Sequence, residues 1–253
     1  MSEFNVTVEG GKTVRLKTAG KYCDRDIVVT AEGGGGDDLF LPLMERTVTE
    51  FHSESVSVIS QYIFYGYTAL TTIDFPNATT IGGYAFYNDT GITSFNTPNV
   101  RSIGTYAFYN VSTLSSIYFP EVTSIGTYAL RQCRKITRGY FPKLTSVGTY
   151  ALTRCNLLAV VDLGLVSSVP ANLFSEDSKL TTIILRKTDG IATLAATSAF
   201  TSTPFASSGS GGTAYVPSAL ITAYQTATNW SSLNCTFVAL EGSAYESENW
   251  GKV

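Results

Sequence analysis

Residues 114–135 read LSSIYFPEVTSIGTYALRQCRK, and residues 136–157 read ITRGYFPKLTSVGTYALTRCNL. The second stretch repeats the first position by position at a spacing of 22 residues. Working outward in steps of 22, one aliphatic column runs Val48, Leu70, Ile92, Leu114, Ile136, Leu158 and Leu180. A second, three residues on, holds Phe51, Ile73, Phe95, Ile117, Gly139, Val161 and Ile183. A third holds Ile59, Ile81, Ile103, Ile125, Val147, Val169 and Ile191. Pro76, Pro98, Pro120 and Pro142 align, as do Gly82, Gly104, Gly126 and Gly148. Tyr62, Tyr84, Tyr106, Tyr128 and Tyr150 form a tyrosine column, with Phe64, Phe86, Phe108, Leu130, Leu152 and Phe174 two residues beyond it.

A fixed period of this length is the signature of a stacked-repeat architecture. The opening L-x-x-I-x-F of each coil is too short for an amphipathic helix and fits a strand. One coil cannot bury its apolar side alone, whereas stacked coils bury continuous columns of like residues. Proline after the strand ends the ladder because it lacks a donor. Glycine near the middle of the coil is expected to permit a bend. The expected fold is mostly β, a right-handed solenoid of about seven 22-residue coils over residues 39–200.

The residues Leu114, Ile117, Phe119, Ile125, Gly126, Ala129, Leu130 and Cys133, with their equivalents 22 away, make the pattern similar to the BspA-like class of bacterial leucine-rich repeats. That resemblance covers roughly residues 48–200 and implies the fold strongly. It implies function only broadly, since the family serves adhesion, surface display and phage parts, and a fold does not fix a function.

Residues 1–32 differ from the repeat. Val6, Val8, Val14 and Leu16 alternate with polar residues around Gly10-Gly11, which reads as a β-hairpin. Ile27-Val28-Val29 is a third candidate strand, and residues 33–38 (GGGGDD) read as a flexible linker. The stretch from Lys12 to Ala31, with KTAGKYCDRDIVVTA in it, is similar to a small module at the start of phage and prophage tail structural proteins. The resemblance implies attachment to a virion or virion-like particle. After Ile191 the period decays. Residues 201–253 are expected to form a C-terminal cap, with a last strand at Tyr215-Val216 and a short helix N-capped by Ser218. Closing the open end of the core accounts for this segment better than a ligand pocket does.

Composition narrows the function classes. The chain has 253 residues, 44% of them hydrophobic and only 15% charged, with a formal net charge of −3. No basic patch is visible, which argues against nucleic acid as a partner. The longest apolar run, around Leu157 to Val161, is far short of a membrane span. The N-terminus shows no signal peptide in the sequence as given. A virion or prophage setting, or an extracellular or cell-surface one, is therefore expected from the resemblances.

No catalytic set, cofactor site or metal site is expected. His52, the single histidine, lies beside Ser53 and Glu54 without a nucleophile motif, and is expected to be solvent-exposed. Asp74 and Asp162 share a repeat position but lie four coils apart, about 19 Å by rung spacing, too far for a glycosidase pair. Cys133 and Cys155 sit on neighbouring rungs and read as buried thiols rather than a bridge. Tyr84, Tyr106, Tyr128 and Tyr150 read as a stacking ladder with wet hydroxyls rather than a sugar platform, while Tyr87 and Tyr109 add to the aromatic surface that invites the sugar reading. Tyr118 and Tyr140 occupy strand positions that should point outward, on the face that also carries Asp74, Asn96, Asp162, Thr72, Ser94, Ser116 and Arg138. The strip Ser116, Tyr118, Arg138 and Tyr140 mixes aromatics with arginine, as interface centres do. It is the expected partner-binding site of a non-enzymatic recognition or structural protein whose partner is a protein or a cell-surface glycan. The alternatives are a bacterial surface or secreted adhesin and, remotely, a hydrolase.

Overall fold

The computed structural model describes residues 2–8, 12–18, 38–39, 48–54 and 56–247. Strands β1 (Ser2–Val8) and β2 (Lys12–Thr18) pair antiparallel, Ser2 opposite Thr18 and Val8 opposite Lys12, as the alternation predicts. The third candidate strand at Ile27 and most of the glycine linker lie outside the described residues. Nine rungs follow on one side of the solenoid: β3 (Val48–His52), β4 (Thr72–Asp74), β5 (Ser94–Asn96), β6 (Ser116–Tyr118), β7 (Arg138–Tyr140), β8 (Val160–Asp162), β9 (Thr182–Ile184), β10 (Gly212–Val216) and β11 (Cys235–Ala239). Strand β2 also pairs antiparallel with β3, so the hairpin continues the solenoid's sheet.

The solenoid therefore has about nine turns, not the seven read from the period. The first seven hold the 22-residue spacing. The last two are turns in which the spacing changes: β9 pairs Ile183 with Ala214, and β10 pairs Ala214 with Phe237. The slip begins earlier on the second side. There Val169 pairs with Leu194 rather than with Ile191, because the coil has grown around residues 187–190. The helix α1 spans Ile221–Thr226. Leu220 precedes it without a side-chain cap, and Ser218 instead opens a 3-10 turn, with its N–H donated to Glu241.

The second side carries short parallel bridges, Val58–Ile59, Thr80–Ile81, Ser102–Ile103, Ser124–Ile125 and Ser146–Val147, in one unbroken sheet with Asp38–Leu39. Between the two sides lies the core. Phe64, Phe86 and Phe108 stack at 5.2 Å, and most of the leucine, isoleucine and valine columns are buried, with Val147 and Ile191 only partly so.

The aligned glycines are explained by crowding. A Cβ on Gly104 would come within 2.5 Å of the Gly83 nitrogen, one on Gly126 within 2.5 Å of Thr105, and one on Gly148 within 2.4 Å of Thr127. Neighbouring coils approach backbone to backbone there, so the side chain is excluded by space rather than by dihedral angle. The left-handed turns fall instead on the tyrosines: φ is 61° at Tyr62, 56° at Tyr84, 58° at Tyr106 and 59° at Tyr128 and Tyr150. Each such residue costs about 1–2 kcal/mol. Rung-to-rung bonds such as Tyr84 N–H to Thr105 O and ring stacking at 4.7–4.9 Å offset this cost. A second ladder, Tyr65–Tyr87–Tyr109, runs beside the first and gives way to Arg131, whose guanidinium lies 5.3 Å from the Tyr128 ring centre.

Candidate functional site

Strand alternation sends the middle residue of each rung inward and its two neighbours outward. The register fixes the outward columns. The first runs Glu50, Thr72, Ser94 on one part of the sheet and Ser116, Arg138, Val160, Thr182 on the other. The second runs His52, Asp74, Asn96 and then Tyr118, Tyr140, Asp162, Ile184, Tyr215. The face divides into three zones.

At the N-terminal end, His52 Nδ1 contacts Asp74 Oδ2, and Asn96 donates Nδ2 to Asp74 Oδ1 at 2.7 Å. His52 is half-buried rather than free in solvent, and the acid that the sequence context lacked comes from the next rung. Ser53, its chain neighbour, is buried, with its N–H donated to the Asp74 carbonyl at 3.0 Å.

In the middle, Ser116 and Arg138 are adjacent in register and exposed. Tyr118 stacks on Tyr140 with ring centres 4.9 Å apart and planes 2° from parallel. Tyr118 is half-buried, and burial pushes its phenol pKa up. Tyr140 departs from the expectation: it is on the outward column yet only 1% exposed. Its neighbours in register are Tyr118 on one side and the fully buried Asp162 on the other. Three of the four expected site residues thus reach solvent, and Tyr140 backs them.

The C-terminal zone is covered. Asp162 is bound by Arg186 through Nε at 2.8 Å and a second nitrogen at 2.7 Å, and accepts Gly164 N–H at 2.9 Å. Arg186 donates onward to the carbonyls of Tyr245 at 2.8 Å and Glu246 at 3.0 Å. The Tyr245 ring packs edge-on against Tyr215. The chain after β11 is thus strapped across this end of the face, and Asp162 serves the strap. None of this could be read from the repeat, because Arg186 and residues 245–246 lie outside its pattern.

The buried thiols are as expected. Cys133 and Cys155 are free and fully buried, each pointing at a carbonyl of an earlier coil, Phe108 and Leu130 respectively. Burial pushes the Cys133 thiol up to about 12 and Cys155 well above the usual thiol range. In the same column Asp177 accepts the Cys155 N–H at 2.7 Å, and burial raises its carboxyl well above the usual carboxylate range. Among the described residues no group of His, Cys, Asp or Glu could hold a metal ion, and no helix is long and apolar enough to cross a membrane.

The sheet itself is broken in the middle zone. Every other rung from β3 to β9 donates an N–H, one residue past its strand, to the next rung: Ser53 to Asp74, Phe75 to Asn96, Phe119 to Tyr140, Phe141 to Asp162, Leu163 to Ile184 and Leu185 to Tyr215, at 2.9–3.1 Å. Thr97 makes no such bond to Tyr118. In the reverse direction Thr93, Thr137, Ala159 and Thr181 each donate to the preceding coil, while Ser115 makes no bond to Thr93. The strands consequently fall into separate sheets on either side of β5 and β6. A cavity of about 270 Å³ lies between them, lined by residues 93–98 and 114–119. The coils stay bonded on their other side, through the Ser102–Ile103 and Ser124–Ile125 bridges, so the stack opens as a wedge. A swap of side-chain sizes relative to the two flanking coils accompanies the opening, and the first coil carries a similar pair, Phe51 and Ser53, in an unbroken part of the sheet. The two flanking coils place isoleucine inward and phenylalanine two residues later, Ile73/Phe75 and Ile117/Phe119. The third coil places Phe95 inward and Thr97 after it. The Phe95 ring packs against Phe86, Phe108 and Phe119 at 5.0–6.1 Å.

A family model described as the BspA type leucine-rich repeat region matches residues 45–159 and 79–205, in six copies. No curated protein sequence matches the chain. Among solved structures, a leucine-rich repeat protein from Bacteroides ovatus is 26% identical over 54% of this chain and 38% of its own, with a TM-score of 0.46. This chain therefore spans well under half of that protein's length. A leucine-rich repeat protein from T. pallidum is 22% identical over 59% of this chain and 70% of its own, with a TM-score of 0.48. The pneumococcal vaccine antigen PcpA is 12% identical over 89% of this chain and 96% of its own, with a TM-score of 0.33.

Proposed function

The chain belongs to the BspA-type leucine-rich repeat family, and from that premise we propose that it is a non-enzymatic recognition protein presenting its outward strand face to a protein or a cell-surface glycan. The observation that carries this reading is the contrast along the face. Beyond Asp162 the face is sealed by its own C-terminal chain, whereas Ser116, Tyr118 and Arg138 remain open around a buried Tyr140. An aromatic held rigid by stacking, beside an arginine, loses little entropy on binding and suits the centre of an interface.

The setting belongs to the same proposal. Residues 1–32 attach the chain to a phage or prophage tail, and the solenoid that follows is displayed from it. The pairing of β2 with β3 supports this, since a load carried on the hairpin is then coupled to the first rung. A surface or secreted adhesin is the second reading, favoured by the family assignment. Neighbouring genes for tail and baseplate proteins support the first setting, and an export signal in a longer native chain supports the second. The recognition site is tested by binding to isolated bacterial cell walls and to immobilised proteins. Tyr118→Ala with Arg138→Ala should weaken binding at least tenfold. Unchanged binding by the folded double variant removes the site.

A further inference from the structure

We propose that the wedge between β5 and β6 is a binding site for an extended polypeptide segment of a partner protein, which completes the sheet by adding a strand there. The proposal rests on the reading that the outward strand face recognises a partner, and names the partner's chemistry.

Two edges face each other across the cavity of about 270 Å³. On one side the Thr97 N–H and the Thr93 carbonyl lack the bonds that the equivalent groups of other coils make. On the opposite side the Ser115 N–H and the Tyr118 carbonyl lack theirs. Each wall therefore carries a backbone donor and a backbone acceptor, one near each end of its rung, without the rung-to-rung bond made elsewhere. A peptide backbone in β conformation supplies the complementary acceptor and donor, and a sugar or a small apolar ligand does not. A three-residue rung offers an edge of about 10 Å, enough for three to four residues of an extended chain.

A second, independent feature points to an occupant. Thr97 is only 4% exposed, lines the cavity, and its hydroxyl has no hydrogen-bond partner. The aligned residues in the coils on either side are Phe75 and Phe119, which need no partner. A buried hydroxyl left unpaired costs about 1–3 kcal/mol, and a bound backbone group removes that cost. The inward residue of the inserted segment would face Phe95 and Ile117, so an aliphatic side chain suits that position. Its flanks would face Ser94, Asn96 and Ser116, so small polar residues suit those.

The probe is a capped synthetic peptide copying residues 115–120 (SSIYFP), a strand that already stacks in this solenoid. Its control is the same peptide N-methylated at alternate residues, which keeps the side chains but loses the donors. The protein variant is Phe95→Ile with Thr97→Phe, which restores the pattern of the flanking coils and is designed to close the wedge by filling it with a ring at the position that Phe75 and Phe119 hold in its neighbours. The expected result is saturable binding of the unmethylated peptide to the wild type, with amide exchange at Thr97 and Ser115 slowed at least tenfold. The methylated peptide and the closed variant should each lose that binding by tenfold or more. Equal binding of the methylated peptide, equal binding by the closed variant, or no saturable binding to the wild type overturns the proposal. A wild type that self-associates while the closed variant is monomeric overturns it in favour of a second copy as occupant. The amide readout does not depend on the cell-wall or partner assay. Its failure therefore leaves the recognition site to that assay, and loss of the recognition site leaves the amide readout intact.

Discussion

Replacing Arg186 with alanine isolates the strap that seals the C-terminal end of the outward face. Asp162 is fully buried and Arg186 is 8% exposed, so the pair is out of solvent. The substitution leaves the Asp162 carboxylate with the Gly164 N–H but without its cation, and frees the Tyr245 and Glu246 carbonyls. Removing one partner of a buried pair costs about 3–5 kcal/mol, mostly as the penalty of an uncompensated charge. A loss of about 4 kcal/mol is therefore expected in urea unfolding followed by tryptophan fluorescence, a probe that includes the buried Trp230. Limited proteolysis should cut the chain after residue 240 far faster than in the wild type. The double variant Asp162→Asn, Arg186→Met removes both charges, so it should recover to within about 2 kcal/mol of the wild type while its tail stays sensitive to protease. The reasoning fails if the single variant loses less than about 1 kcal/mol, or if the double variant is no more stable than the single one.

Asp177 binds its proton longer in the folded chain than in the unfolded one, because burial raises its pKa. Its contribution is full below the ordinary carboxylate range and falls as pH rises toward the folded value. Asp177→Asn should then raise the melting temperature at pH 7 and leave it nearly unchanged at pH 3; equal gains at both pH values contradict this. Gly126→Ala should cost about 3 kcal/mol or more, since its Cβ would stand 2.5 Å from the Thr105 nitrogen, and chemical denaturation measures it. The thiols of Cys133 and Cys155 should resist a thiol reagent at pH 8 until the chain unfolds, because burial holds both protonated. Labelling at the rate of an exposed thiol contradicts that.

The stacking columns were legible because each repeated residue has a partner of the same kind 22 positions away, and a single period encodes all of them. Legibility ended where the period did. The turns through Ala214 and Phe237 are built like the others, but the chain between rungs lengthens and the columns fall out of phase. The His52–Asp74 contact was readable in principle, since the two residues are one period apart, yet local context around His52 hid it. The covering of Asp162 depends on Arg186, which also holds the carbonyls of residues 245 and 246 outside the repeat. The wedge left no decisive signal, because the exchanged sizes of Phe95 and Thr97 resemble those of Phe51 and Ser53, where the sheet is unbroken.

The break in the outward sheet is the feature on which the middle of the face turns, and amide hydrogen exchange of the free protein reads it residue by residue. The N–H groups of Phe75, Phe119, Thr137 and Phe141 are bonded to neighbouring rungs, while those of Thr97 and Ser115 are not. Exchange at Thr97 and Ser115 should be at least a hundredfold faster than at those equivalents. Uniform protection along the column would mean that the sheet is continuous and that the wedge does not exist in solution.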